Sequence, residues 1–481
     1  MNLDRKFAAL AFAALVCLAC PSAMPAAPVP PADDAALSAA LCPIVYPVDP
    51  SPSDRGYRYL FYGDGFFINE QGYLITAAHV LSQIRGGQPY ILLRPPAGPP
   101  RFLPATLVAL DRDHDVAVLR VTPNPFERGY KVGFLPLSLS WLQRGGAVLA
   151  AALYPAQPLD AHTLDAYVDD RTSSRVFDFQ FSQLFLGRSE TELFLFNHEV
   201  RRGESGAPLV SAESRDVVGF VEGEWLRPGP APPANAADSD PQGVGAAVPV
   251  HYAIALLQQK GIPWHIASGA LGPGDGPAAP AQGFSPPAPL SLIASPYSSQ
   301  SLFGGEVVLD ALIDARGRLT DTTVVRGASP FLENVLSTVH TWSFFPARQD
   351  GHPVAARVGI TFLFSQSYEP LRAPPVHKYE EPLPDSPDRG ALPVVTVEPQ
   401  YPPAAVRDGS VILCAHVGPQ GQLTAVETLR DSESLTPPAL AAVHEWRFAP
   451  GRRAGAPSDS AAIVVLAFRY TGTSRPTSPA N

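Results

Sequence analysis

The chain has 481 residues, 46% of them hydrophobic and 17% charged, which is enough apolar material for packed cores in roughly three domains. Its 55 prolines and 38 glycines cut the sequence into short runs, which argues for strands, turns and connectors and against long helices. The formal net charge is −10 with no long basic run, so a general nucleic-acid role has no support, because a phosphate backbone calls for a basic surface.

The first residues read as an export signal. Arg5 and Lys6 precede an apolar run at 8–19, too short to span a bilayer, and small residues and Pro follow around 22–27. Residues 1–24 are assigned to this signal, with cleavage between Cys20 and Ala27. A lipoprotein signal modified at Cys20 is the alternative, but Cys17 stands where an aliphatic residue is usual, so an ordinary cleaved signal is preferred. No later stretch approaches a membrane-spanning helix, and no integral span is expected after signal removal. Of the four cysteines, Cys17 and Cys20 fall in or beside the signal. Cys42 and Cys414 remain, with no disulfide framework. Export permits a bridge between them, but two buried free thiols are the expectation.

Residues 25–40, rich in Ala and Pro, read as a mobile spacer. From 41 to 265 runs a β-rich region of short apolar strands such as 59–62, 65–68, 90–93, 147–150 and 217–221. Turn signals separate them, and a helical pattern at 252–260 closes the region. Many short strands over this length suit a pair of small β-barrels. Residues 226–243 form a Pro-, Ala- and Asp-rich insertion after the strand at 217–221, and residues 266–290 form a Gly/Ala/Pro-rich linker.

Three separate motifs in this region carry chemistry. His79 lies in Leu74-Ile75-Thr76-Ala77-Ala78-His79-Val80, Asp115 in Asp113-His114-Asp115-Val116-Ala117-Val118-Leu119, and Ser205 in Gly203-Glu204-Ser205-Gly206-Ala207-Pro208. A serine hydroxyl is a poor nucleophile unless a neutral imidazole takes its proton and a carboxylate holds that imidazole. Each role has one candidate here. Taken singly, His79 could be a core histidine, Asp115 a turn cap with Asp113 as a competitor, and Ser205 a residue of any Gly-flanked turn. Their joint occurrence, in the order His, Asp, Ser, gives the assignment its weight. Asp115 is preferred because it directly precedes the strand 116–119. His114 is placed beside the site and not in it. No His/Cys cluster has metal-ligand spacing, and neither a metal nor another cofactor is expected.

These motifs, with 63–68 and 248–250, resemble trypsin-like serine proteases, in particular the exported HtrA/DegP-like branch, over residues 45–262. The resemblance implies a chymotrypsin-like double barrel. It implies Ser205 as nucleophile, His79 as general base, Asp115 as its partner, and the backbone N–H groups of Gly203 and Ser205 as the oxyanion hole. His198 and Glu199, just upstream of the Ser205 loop, are candidates for the substrate pocket, with exposed loop positions as the alternative. Gly219 and Val221 are candidates on the strand expected to flank that pocket, and the insertion at 226–243 is expected to shape or cover the cleft. Glu204 and Ala207 depart from the family pattern, where Asp or Asn and Gly are commoner. No PDZ-like domain follows.

Beyond the linker the sequence repeats itself at an offset of 104: Tyr297 and Tyr401, Gly305 and Gly409, Gly317 and Gly421, Trp342 and Trp446, Phe344 and Phe448, Pro346 and Pro450. Each copy reads as a hairpin, a helix, Trp-x-Phe-x-Pro and a last strand, a small α+β unit at 291–368 and again at 395–472. A second linker at 369–394 joins them, and 473–481 form a tail. Both copies resemble the C-terminal domain of TonB, the second more closely, with Pro399-Gln400-Tyr401-Pro402 as its opening. In TonB that domain pairs an exposed strand with a receptor segment. The aromatic pattern is equally explained as core.

The fold class expected is therefore an all-β double barrel followed by two small α+β domains. The function expected is an exported serine endopeptidase of a Gram-negative-type periplasm or cell envelope, acting on protein or peptide. Its C-terminal modules would bind an envelope protein. A non-catalytic or latent adaptor, or a TonB-system accessory protein, is the alternative.

Overall fold

The computed structural model describes residues 34–48, 58–82, 87–93, 101–155, 167–225, 244–272, 274–276, 282–297, 301–366, 374–402 and 405–470, less positions 302, 328, 381 and 406. The signal segment and the insertion at 226–243 lie outside the described residues.

Alternating short apolar runs close into two antiparallel barrels. The first has the order β1 (Leu41–Val48), β2 (Arg58–Phe67), β3 (Tyr73–Ala77), β6 (Val116–Val121), β5 (Arg101–Asp111), β4 (Tyr90–Leu93). The second has the order β10 (Pro208–Ser211), β11 (Val217–Trp225), β12 (Val244–Pro249), β9 (Glu190–Phe196), β8 (Tyr167–Gln183), β7 (Ala147–Pro155). Closure removes exposed strand edges, as barrels of short strands require. After β12, helix α3 (Val250–Lys260) covers the barrels and ends at Gly261 in the left-handed conformation, φ 69°.

Of the spacer expected at 25–40, residues 25–33 lie outside the described residues, and the remainder is helical. Helix α1 (Asp34–Ala40) occupies its last seven residues and buries Leu37 and Ala40. Ala and Leu are strong helix formers, and one apolar side chain per turn is enough to dock so short a helix. The linkers are likewise tied down in part. Ala288–Ser291 pairs with Ser343–Phe345, and Val376–Lys378 with Leu392–Val397, so short apolar runs inside Pro-rich segments satisfy their backbone by pairing. Cys42 and Cys414 are both free and buried.

The two repeats do not fold as separate sheets. Their strands form one six-stranded sheet in the order Leu319–Arg326, Gly305–Ile313, Ala356–Gln366, Ser460–Arg469, Gly409–Val417, Leu423–Arg430. Only the central seam is parallel, running from Gly359 opposite Ala462 to Gln366 opposite Arg469. The cause is legible in the two last strands, which are apolar at successive positions and not at alternate ones, the pattern of strands buried on both faces. Helix α4 (Leu332–Val339) packs Val335 and Val339 with Phe362, Phe364, Ile463 and Val465. Helix α5 (Thr436–Glu445) packs Ala439 and Val443 with Leu363, Leu413, Val464 and Leu466. Because neighbouring residues in a strand face opposite ways, the two helices lie on opposite faces of the shared sheet. Equivalent anchors recur: the Trp342 indole N–H donates to Ile293 O and that of Trp446 to Val397 O, each at 2.9 Å.

Candidate active site

The first barrel supplies a histidine and an aspartate. Strand β3 ends at Ala77, and His79 sits in the first turn of the short helix α2 (Ala78–Ser82). Asp115 precedes β6 in a left-handed conformation, φ 57°, which after glycine a short polar residue tolerates best. That conformation aims both backbone and side chain at α2. The Asp115 carbonyl accepts Ala78 N–H at 2.9 Å. Its carboxylate accepts His79 N–H at 2.7 Å through Oδ1 and meets His79 Nδ1 at 2.7 Å through Oδ2. The ring is thus held at one nitrogen, leaving Nε2 for chemistry. Burial acts to lower the His79 pKa. The hydrogen bond and charge of Asp115, together with the charge of Glu222, outweigh it and raise the value above that of an ordinary histidine. Asp113, the competing aspartate, turns away. Its Oδ1 accepts Arg188 N–H at 2.7 Å. His114 binds Asp111 at 2.7 Å and stacks on Tyr252 at 4.3 Å, outside the site.

The second barrel supplies the serine. Ser205 stands between two glycines with positive φ, Gly203 at 105° and Gly206 at 86°. A Cβ on Gly206 would lie 2.2 Å from Asp64 O, so the loop reaches the first barrel only because no side chain intervenes. Asp64 N–H donates to Ser205 O at 2.8 Å, and Thr76 Oγ1 donates to Asp64 O at 2.7 Å, fastening the loop to β2 and β3. The Ser205 hydroxyl donates to Glu222 O at 3.1 Å.

The other candidates separate. Glu204 is buried under the loop, where His198 Nε2 meets its Oε2 at 3.0 Å; His198 itself is buried and stacked on Phe196. This pair supports the loop from beneath. Glu199 is exposed. Gly219 lies inside β11 with a hypothetical Cβ 2.7 Å from Val248 O, and the Val221 side chain points into the core of the second barrel. Val221 instead serves through its backbone, accepting Gly206 N–H at 2.7 Å and donating to Ala207 O at 2.8 Å.

Sequence reasoning misses one residue. Glu222 is the extra residue of a β-bulge, since Val221 pairs with Ala247 and Gly223 with Ala246. Ligand atoms of His79, Asp115 and Glu222 lie within 4.8 Å of one another. The available signal was Gly223, a glycine inside a strand pattern, directly after an acidic residue that ends a five-residue apolar run. These three are also a group that could hold a cation, although His79 Nδ1 and Asp115 Oδ2 are already joined to each other. A cleft of 560 Å³ between the barrels and α4 is lined by His114, Glu190, Tyr252 and Glu333, and by none of His79, Asp115 and Ser205.

Residues 63–220 match the trypsin-like peptidase domain, and residues 301–365 and 397–471 match the Gram-negative bacterial TonB protein C-terminal domain. No curated protein matches the chain. Among solved structures, the HtrA-type protease AlgW with decapeptide is 20% identical, with a TM-score of 0.34, over 47% of this chain and 66% of its own. The chain thus spans just under two thirds of that relative. The MamO protease domain from Magnetospirillum magneticum is 17% identical (TM-score 0.32, 46% of this chain, 96% of its own). The Rv3671c protease from M. tuberculosis in its active form is 18% identical (TM-score 0.33, 56% of this chain, 98% of its own). In family terms, the chain carries a trypsin-like peptidase domain followed by two TonB C-terminal domains.

Proposed function

We propose that the protein is a serine endopeptidase of the Gram-negative envelope, with Ser205 as nucleophile, His79 as general base and then acid, and Asp115 as the residue that orients His79. The observation that carries this reading is the His79–Asp115 pair, joined at 2.7 Å through Nδ1 and again at 2.7 Å through the His79 backbone N–H. It stands in the domain whose other barrel presents Ser205 on a glycine-flanked loop. In the reaction, the Ser205 hydroxyl turns from the Glu222 carbonyl toward His79 Nε2. Oγ attacks the scissile carbonyl as its proton passes to His79. The amine leaves with that proton, and water hydrolyses the acyl-enzyme by the same route. Gly203 and Ser205 N–H groups are the donors for the oxyanion.

The tandem TonB-like unit serves as an interaction module in this reading. Strand addition to its sheet would have to use Leu319–Arg326 or Leu423–Arg430, because the last strand of each repeat is already paired with the other. That restriction disfavours receptor binding in the manner of a single TonB domain.

The test is fluorophosphonate labelling of the purified mature protein beside Ser205→Ala and His79→Ala. Labelling that disappears in both variants supports the reading. A folded protein that never labels would shift the function to the alternative, an adaptor with a peptidase fold.

A further inference from the structure

Glu222 has no role in the mechanism above beyond lending its backbone carbonyl, yet its carboxylate occupies a decisive place. The bulge that isolates it from the β11–β12 ladder has two effects. It leaves the Glu222 carbonyl free to accept the Ser205 hydroxyl at 3.1 Å, and it turns the side chain toward the His79–Asp115 pair. The imidazole is therefore flanked by two carboxylates, one joined to Nδ1 and one within 4.8 Å across the pair.

Among the described residues, the charges that act on the imidazole are those of Asp115 and Glu222, both negative. Asp115 comes from the turn before β6 and Glu222 from β11. Strand β2, packed against α2, carries Asp64, whose Oδ2 is turned to the Leu153 N–H at 2.8 Å, and Tyr62, which meets Tyr46 edge-on. Strand β3 carries Tyr73 at its far end, under the Arg120 guanidinium. Helix α2 brings no charged group besides His79 itself. Among the described residues, Glu222 has no hydrogen bond or ion pair of its own side chain.

We propose that Glu222 is a positioning residue for the His79–Asp115 pair, its carboxylate stabilising the imidazolium that forms when Ser205 gives up its proton. The inference rests on the peptidase reading for its consequence in catalysis, but not for its effect on the imidazole. Burial raises the Glu222 pKa, His79 opposes that rise and Asp115 adds to it. A carboxylate in this position responds to pH together with the histidine it faces. When Glu222 is ionised, the imidazole holds its proton to higher pH. The residue therefore stabilises the charged intermediate and narrows the acid side of the activity range.

The experiment follows the His79 imidazole by NMR titration in the full mature chain, with the resonance assigned by its loss in His79→Ala. The comparison is among wild type, Glu222→Gln and Glu222→Asp. The expected result is a midpoint that falls in Glu222→Gln and returns toward wild type in Glu222→Asp. An unchanged midpoint in Glu222→Gln, with unfolding curves that overlay those of wild type, overturns the proposal whether or not the protein labels. The pH profile of fluorophosphonate labelling adds the catalytic readout. Its acid limb should move to lower pH in Glu222→Gln, with a lower plateau. Failure of wild type to label at any pH would instead refute the peptidase reading and leave the NMR comparison to decide the role of Glu222.

Discussion

The Arg430 guanidinium makes a bidentate pair with Glu192, Nη1 to Oε2 at 2.8 Å and Nη2 to Oε1 at 2.5 Å, while lying over the Trp141 ring at 4.4 Å. Arg430 ends the outer strand of the second repeat and Glu192 lies in β9, so one buried ion pair joins the tandem unit to the peptidase domain. Arg430→Ala would leave a buried carboxylate without its partner, at a cost of about 3–5 kcal/mol. Arg430→Met combined with Glu192→Leu removes both charges and should recover most of that loss. Denaturant unfolding of the single and double variants measures the difference. Equal destabilisation in both would show that the charge pair is not what matters there.

On the proposed mechanism, Asp115→Asn keeps the shape of the residue that binds His79 Nδ1 but removes its charge. Turnover of a peptide substrate should fall on the order of 10⁴-fold, with little change in thermal stability. A loss of only a few fold would place the orienting role elsewhere.

Gly206→Ala attacks the serine loop without touching Ser205. The added Cβ meets Asp64 O at 2.2 Å and Thr76 Oγ1 at 2.5 Å, and the backbone there has φ 86°. The strain should cost about 2 kcal/mol or more and abolish labelling of Ser205. Retained labelling would mean that the loop can leave β2 and remain competent.

His251 predicts acid lability. It is buried, stacks on Trp141 at 4.3 Å, and has its pKa pushed down to about 4, chiefly by burial, with Arg430 adding to the effect. Above the unfolded value of about 6.5 neither state carries the proton, and the native state has its full stability. As pH falls from there toward 4, the unfolded chain gains a proton that the native state refuses, so stability drops by up to about 3 kcal/mol. His251→Phe, which keeps a ring against Trp141, should flatten the pH dependence of the melting temperature over that window. An equally steep profile in the variant would assign the acid lability to other groups.

Much of this architecture could be read in the sequence because it rests on local signals. The barrels follow from short apolar runs with turn residues between them, and the motifs that carry His79 and Asp115 lie beside β3 and β6, where the two side chains meet. The repeat offset singles out Trp342 and Trp446, which make matching hydrogen bonds in the fold. What stayed hidden depends on side-chain direction, on bulges and on which partner a polar group finds once the chain is folded. Glu222 reaches the site through a bulge, which a strand pattern does not reveal beyond a suggestive glycine. Val221 sits on the expected strand, but the pleat sends its side chain into the core. His198 is taken by Glu204, a departure from the family pattern with a partner six residues away. The merging of the two repeats was encoded in Val358–Phe364 and Ala461–Phe468, whose runs on both faces fit a central strand better than an edge.

The parallel seam also bears on how the molecule is made. Its two strands are brought together from about a hundred residues apart, Gly359 against Ala462, and all of the second repeat must be synthesised before they can meet. Pairing so distant is slow to nucleate. Until it occurs, the strand Ala356–Gln366 presents an open, apolar edge to whatever surrounds the nascent chain, the kind of edge that recruits unrelated strands. A stop codon or a proteolytic cut near 375 would therefore leave a peptidase domain carrying an adhesive half-sheet. Loss of the last hundred residues should appear first as aggregation, ahead of any change in chemistry.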